Sequence, residues 1–143
     1  MSTLTNRLTS GTLIGLAGLH VAWGLGSALP FAARSQLADS VVGTKEVPPP
    51  LACFSVAAAL AAGSALVLNV PTLPSPLRRS GLIAMAGAFG ARAILGFVGK
   101  TEVISPGSTS DRFVSLDRKY YAPLCVGLAM GSLAEVVSHG PDR

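Results

Sequence analysis

Charge is scarce in this 143-residue chain: Asp, Glu, Lys and Arg make up 13% of it, against 50% apolar residues. With a mean hydropathy of +0.55, it is too apolar for an ordinary soluble domain of this size, so a bilayer is the expected solvent. Histidine and cysteine are scarcer still, with two of each. No Cys-x-x-Cys pair exists, which excludes the quinone-linked disulfide-forming membrane enzymes. Nor do His, Cys and carboxylates gather at ligand spacing, so neither a metal nor another cofactor is expected. A Gly-rich phosphate loop, a Ser/His/Asp order and paired catalytic carboxylates are also missing. Any catalysis would therefore be acid/base or electrostatic work by very few groups in an apolar pocket. The formal charge of +4 is scattered through short loops without a basic helix face, which argues against nucleic acid as a partner.

What the chain does have is apolar length. A span needs about 20 mostly apolar residues, and four windows approach this: 11–33, 50–70, 80–98 and 122–138. The expected fold is all-α, a single integral membrane four-helix bundle over residues 1–143. The first window has a second reading as a signal peptide, because Arg7 precedes it and Ala32 and Ala33 are small residues near a cleavage point. Pro30 should end the first helix and Pro50 should sit in the first turn of the second. Pro71, Pro74 and Pro76 force a compact turn back into the third. Between residues 101 and 121 lies the longest polar stretch, where Ser-Pro-Gly-Ser at 105–108 reads as a turn or mobile loop. Phe113, Leu116, Tyr120 and Tyr121 would lay an amphipathic turn on the membrane surface.

The two halves resemble one another at an offset of 72 residues. His20 falls on Arg92, Cys53 on Cys125, and Gly15, Gly18 and Gly24 on Gly87, Gly90 and Gly96. Two tandem two-helix repeats in one orientation predict a pseudo-two-fold axis along the membrane normal. Small-xxx-small pairs at Gly11 and Gly15, Ala84 and Ala88, and Gly127 and Gly131 offer close-packing surfaces. The longer loops carry more bases (Arg34, Lys45, Lys100, Arg112, Arg118, Lys119) than the other side (Arg7, Arg78, Arg79, Arg143). They also carry most of the acids, while the Arg78-Arg79 pair abuts a span with no acid near it. Both termini are therefore read as cytoplasmic.

His20 and Arg92 are the polar side chains nearest mid-span, and an ionisable group there is by default a functional candidate. Small neighbours Ala88, Gly96 and Gly99 turn the Arg92 face toward another helix, although snorkelling to the interface remains open for so long a side chain. His20 shares a face with Trp23, Gly24 and Ser27, and a lone His in a helix is also commonly a satisfied hydrogen bonder. It is no metal ligand, since the other His, His139, lies near the opposite face. Asp117, Tyr121 and Cys125 would share one side if the last helix extends upstream of Pro123, and Asp117 is the nearest counter-ion for Arg92. Glu135 would meet water or Arg78 and Arg79. Cys53 and Cys125 are read as small buried hydrophobes, or as a disulfide if their Cα atoms lie within about 7 Å.

The stretch Leu19-His20-Val21-Ala22-Trp23-Gly24-Leu25-Gly26-Ser27, with Val41-Val42-Gly43, Pro50-Leu51-Ala52-Cys53, Ala91-Arg92, and Asp117 followed by Tyr121-Ala122-Pro123-Leu124-Cys125, resembles a bacterial family of small four-span membrane proteins catalogued as a domain of unknown function. The resemblance covers nearly the whole chain, brings no activity with it, and implies a bacterial inner membrane. The expected function is a polar pocket toward the longer loops that binds a small amphipathic or lipidic molecule, with isomerisation, cyclisation or hydrolysis as candidate reactions. In it His20 and Asp117 would be catalytic proton carriers; Arg92 would hold an anionic or carbonyl group, and Trp23 and Tyr121 would wall the substrate. The alternatives are a structural or accessory subunit of a membrane complex and a small dimeric transporter. Membrane lipid and a second copy are the expected partners.

Overall fold

The structure is a computed structural model that describes residues 2–138; His139 and Arg143 lie outside the described residues. Among these residues there are helices and no strands. Helix α1 runs Ser2–Gly24 and α2 is a short helix, Arg34–Leu37, continued by a π-helical turn, Ala38–Val42. Helices α3 (Pro50–Leu68) and α4 (Ser75–Val98) follow. A 3₁₀ turn at Thr101–Val103 leads to α5, Asp111–Ser138, which contains a second π-helical turn at Asp117–Tyr121. Among the described residues, three helices are long and apolar enough to cross a membrane: α3, α4 and α5. Helix α1 is not among them, since its first turns hold Thr3, Thr5, Asn6, Arg7, Thr9 and Ser10.

Two helix pairs pack closely, α1 on α3 and α4 on α5. Contact of α1 with α5 joins the pairs, and α3 with α4 is the loosest of the four. One apolar cluster, Leu13, Val67, Leu82, Leu128 and Val136, takes residues from all four long helices. A second, Trp23, Leu37 and Cys53, ties α1 and α3 to α2.

Several boundaries differ from those expected, each for a local reason. Helix α1 does not occupy 11–33: it ends at Gly24, ahead of Pro30, because Gly26 turns the backbone at φ 100°. Its polar start is helical because it packs, with Thr9 against Gly131 and Ser10 Oγ 2.7 Å from Ser64 Oγ of α3. Helix α5 begins at Asp111, eleven residues before the expected 122, capped by Ser110 Oγ, which accepts from Phe113 N. It continues through Pro123 because the π turn just before it widens the helix where proline can donate no hydrogen bond. The 105–108 turn is not loose, since Ser108 donates to Val42 O. Phe113 is not on the membrane surface but buried against Gly43, where a Cβ would come 2.7 Å from its ring. Of the glycines in the small-xxx-small pairs, Gly131 meets a facing helix, while nothing lies within 4 Å of a Cβ placed at Gly11, Gly15 or Gly127.

Arginines close three helix ends. The last carbonyls of a helix lack intrahelical donors, and lipid supplies none. Arg34 Nη1 donates to Trp23 O at the end of α1, and Arg118 Nε to Phe97 O at the end of α4. Arg78 does more. Its Nε and Nη2 reach Leu66 O and Val67 O of α3 at 2.9 and 3.0 Å, and Nη2 also meets Glu135 Oε2 of α5 at 2.9 Å. Residues read from sequence as topological anchors are thus also backbone caps.

Glu135 and Arg78 are both buried, so removing one partner strands the other charge. Glu135→Leu should destabilise the protein by about 3 kcal/mol or more, and Arg78→Leu/Glu135→Leu should recover much of that loss. Denaturant unfolding in detergent, followed by circular dichroism, measures both variants.

Candidate functional site

At the end of the molecule where α1 and α4 finish and α3 begins, a cavity of about 330 Å³ opens among α1, α3, α4 and the two loop segments that cover them. His20 and Trp23 come from α1, Cys53 and Val56 from α3, and Arg92 from α4. The covering segments add Leu37, Val41, Thr101, Ser105, Ser108 and Phe113. Three of the five site residues expected from sequence, His20, Trp23 and Arg92, therefore share one cavity. Asp117 and Tyr121 are not in its lining.

Asp117 stands behind Arg92. Its carboxylate accepts two parallel bonds from the guanidinium, Nη2 to Oδ1 at 2.8 Å and Nη1 to Oδ2 at 3.1 Å. A third comes from Thr101 Oγ1 to Oδ2 at 2.6 Å. The side chain of Asp117 is 1% exposed and that of Arg92 24%. This fork fixes the guanidinium plane, and Arg92 is also part of the cavity lining. Gly96 makes the approach possible: a Cβ there would sit 2.8 Å from the Ala122 methyl and 3.0 Å from both Arg92 Nη1 and Asp117 Oδ1. Arg92 is held inward and does not snorkel.

The hydrogen-bond inventory of the lining is more informative than its composition. Trp23 Nε1 donates to Leu29 O at 2.6 Å, and Cys53 Sγ to Pro48 O at 3.7 Å. Ser108 donates to Val42 O, so the 2.7 Å contact with Ser105 makes Ser105 the donor and Ser108 the acceptor. Thr101 has given its hydrogen to Asp117. His20 Nδ1 lies 2.8 Å from Leu16 O, and a carbonyl can only accept, so Nδ1 is the donor and Nε2 is the ring nitrogen left to face a ligand. The ring of His20 leans on that of Trp23, with centroids 4.8 Å apart. Among the described side chains lining the cavity, Arg92 alone keeps spare N–H donors: two of its five N–H groups go to Asp117, which leaves three.

The two π turns lock the cover in place. A π turn leaves carbonyls out of the regular helical ladder, and those of 38–43 are met from outside. Tyr121 Oη donates to Ser40 O at 3.0 Å, Thr109 N and Ser110 N donate to Gly43 O at 3.2 and 3.3 Å, and Ser110 Oγ donates to the Asp39 carboxylate at 2.5 Å. Tyr121 thus ties one π turn to the other instead of walling the cavity. Thr101, Ser105 and Ser108 were not singled out from sequence. The available signal was Ser110 followed three residues later by Phe113, a helix N-cap ahead of an apolar run, which would have marked 101–110 as a structured lead into α5. Cys53 lines the cavity, and both cysteines are free thiols.

Fold and site define an all-helical protein with three candidate spans and a largely apolar cavity, holding a few polar side chains, roofed by its longer loops. The chain belongs to the family described as "Protein of unknown function (DUF3995)", whose profile matches residues 13–132 and so includes every residue of the cavity. No curated protein and no solved structure matches it.

Tyr121→Phe deletes only the bond to Ser40 O. It should cost about 1 kcal/mol and should raise amide hydrogen exchange in residues 38–43 more than in α3 or α4, measured by mass spectrometry.

Proposed function

We propose that this protein is an integral membrane four-helix bundle of a bacterial inner membrane whose cavity binds a small amphipathic or lipidic molecule through Arg92. One observation carries the reading: a guanidinium fixed from behind by Asp117 offers spare N–H donors to a cavity whose other polar side chains have spent theirs inside the protein. An arginine within an apolar helix is costly unless it is paired or used. Here it is both. In this reading Arg92 takes an oxygen of the ligand, Trp23 and Val56 contact its apolar part, and His20 Nε2 is the base within the lining. Asp117 positions Arg92, and with three bonds already accepted it suits that role better than proton transfer. Isomerisation, cyclisation or hydrolysis would need His20 to move a proton.

Helix α1 completes the membrane bundle in this proposal, since it packs on α3 and α5 along its apolar half. Supporting a tandem repeat, α1 on α3 and α4 on α5 pack as like pairs, and each half of the chain carries one π turn, at Ala38–Val42 and Asp117–Tyr121. Single cysteines introduced at Thr72 and at Ser105 should label from opposite sides of the membrane with an impermeant maleimide, in a Cys53→Ala/Cys125→Ala background. Labelling from one side only would sink the four-span topology.

A second reading, an accessory subunit or small dimeric transporter, draws on Gly11, Gly15 and Gly18 of α1 and Gly87 and Gly90 of α4, beside which nothing lies within 4 Å. Small open faces are what packing between membrane helices uses. The two readings separate on purification in mild detergent followed by extraction and mass spectrometry. A ligand-binding cavity predicts a reproducible small molecule that is lost from a folded Arg92→Leu variant and reduced in His20→Leu. Absence of any such molecule, with Arg92→Leu dispersing the protein, would favour the subunit reading.

A further inference from the structure

We propose that the ligand held at Arg92 is a single-chain amphiphile with an uncharged oxygen head, its alkyl chain lying in the groove between α3 and α4; this rests on the reading of the cavity as a ligand site. That groove has a volume of about 460 Å³ and an almost wholly apolar lining, with Leu13 of α1, Ala59 and Gly63 of α3, and Ala84, Ala88 and Phe89 of α4. It runs along the loosest of the four helix contacts.

Cavity and groove follow one another along a single seam. His20 of the cavity and Leu13 of the groove are seven residues apart on α1, so they share a face. On α3, Val56 of the cavity is one turn from Ala59 of the groove, and on α4 Arg92 is one turn from Ala88 and Phe89. From Cys53 to Leu66 the seam covers about 20 Å of helix rise. One leaflet of a bilayer has about 15 Å of hydrocarbon, so the seam accommodates one extended chain and its head. Polar side chains line the cavity and none lines the groove, which fixes the direction: head at Arg92, chain toward Leu66 and Ala84.

Charge and hydrogen bonding set the head. Arg92 and Asp117 cancel, so a carboxylate or phosphate would add an uncompensated negative charge beside Asp117 in a medium of low dielectric. A carbonyl or hydroxyl oxygen takes the spare Arg92 donors without that cost. A hydroxyl matches further, because its own hydrogen finds an acceptor in His20 Nε2 or the Ser105 oxygen, both in groups lining the cavity. The class indicated is a long-chain alcohol or a neutral carbonyl lipid.

Trp23 is the only tryptophan in the chain and lines the cavity, so its fluorescence reports the head end. The probes are long-chain alcohols of about 16 carbons, one leaflet in length, brominated near the hydroxyl or at the far end, added to protein in non-brominated detergent. The proximal bromine should quench Trp23 strongly and the distal one weakly. With Phe89→Trp in a Trp23→Phe background the order should reverse. Ala59→Leu/Ala88→Leu fills the groove at two exposed positions; it should abolish quenching by the long probes while a proximally brominated short-chain alcohol still quenches Trp23. Unlabelled alcohol or methyl ester should displace the probe at least about tenfold better than the same-length carboxylate, the equivalent of 1.4 kcal/mol.

Better displacement by the carboxylate would overturn the uncharged head. Proximal quenching of Trp23 that survives groove filling, without distal quenching of the Phe89→Trp reporter, would overturn the groove and leave the cavity reading intact. A change of oligomeric state on groove filling, with quenching unaltered, would assign the groove to a helix of a second copy and overturn the proposal. If no probe of either length quenches wild type differently from Arg92→Leu, the cavity reading falls as well.

Discussion

The bidentate bond between Arg92 and Asp117 is the interaction on which the rest of the upper half depends. A guanidinium in the middle of an apolar helix face is tolerable only when its charge is met at close range, and meeting it brings α5 against α4 at Gly96. Thr101 supplies the third bond to the carboxylate and so draws the start of the 101–110 segment down onto the same point. That segment then reaches the carbonyls of the 38–43 turn through Ser108, Thr109 and Ser110. One ion pair thus organises both the helix pair and the cover of the cavity. Its counterpart at the opposite end, Arg78 with Glu135, joins the same two helices and adds the end of α3.

A second constraint acts throughout: lipid offers no hydrogen bonds, so each helix end and irregular turn has to be satisfied by the protein itself. The chain meets this with few residues used twice. Arg34, Arg78 and Arg118 cap carbonyls of preceding helices while carrying the charge that a topology rule counts. The π turn of α5 accommodates Pro123 and also carries Asp117 and Tyr121, one gripping Arg92 and the other the first π turn. The economy has a chemical consequence. When serine, threonine and tryptophan hydrogens are all committed internally, the cavity is left with one kind of spare donor and a few lone pairs, which suits a ligand recognised at a single oxygen and otherwise by apolar contact.

Much of this was legible in residue order. The scarcity of charge and the long apolar windows point to helices in a bilayer, and Pro50, Asn69 and Gly99 punctuate those helices by backbone chemistry alone. Arg92 and His20 stand out because polar groups are rare in such windows, and Asp117 as the partner of Arg92 follows from both lying at the same end. The small neighbours of Arg92 also indicated that it faces protein. Less legible were helix ends that depend on packing. Residues 2–10 of α1 are mostly polar and fall outside the first apolar window, yet they are helical because Thr9 and Ser10 find Gly131 and Ser64 across the interface. The 101–110 segment read as loose because its serines are turn formers; its order comes from carbonyls more than 60 residues away in sequence.

What the sequence by itself determined is the class of the molecule and the identity of its scarce polar groups, because hydropathy, proline and glycine act locally and need no knowledge of neighbours. What only the tertiary structure decided is the division of labour among those groups. His20, Trp23 and Arg92 open onto one space, Asp117 stands behind it, and Tyr121 holds the cover. That division follows from where each donor finds its acceptor in three dimensions, and a hydrogen bond between residues 40 and 121 or 42 and 108 leaves no periodic trace in the order of residues.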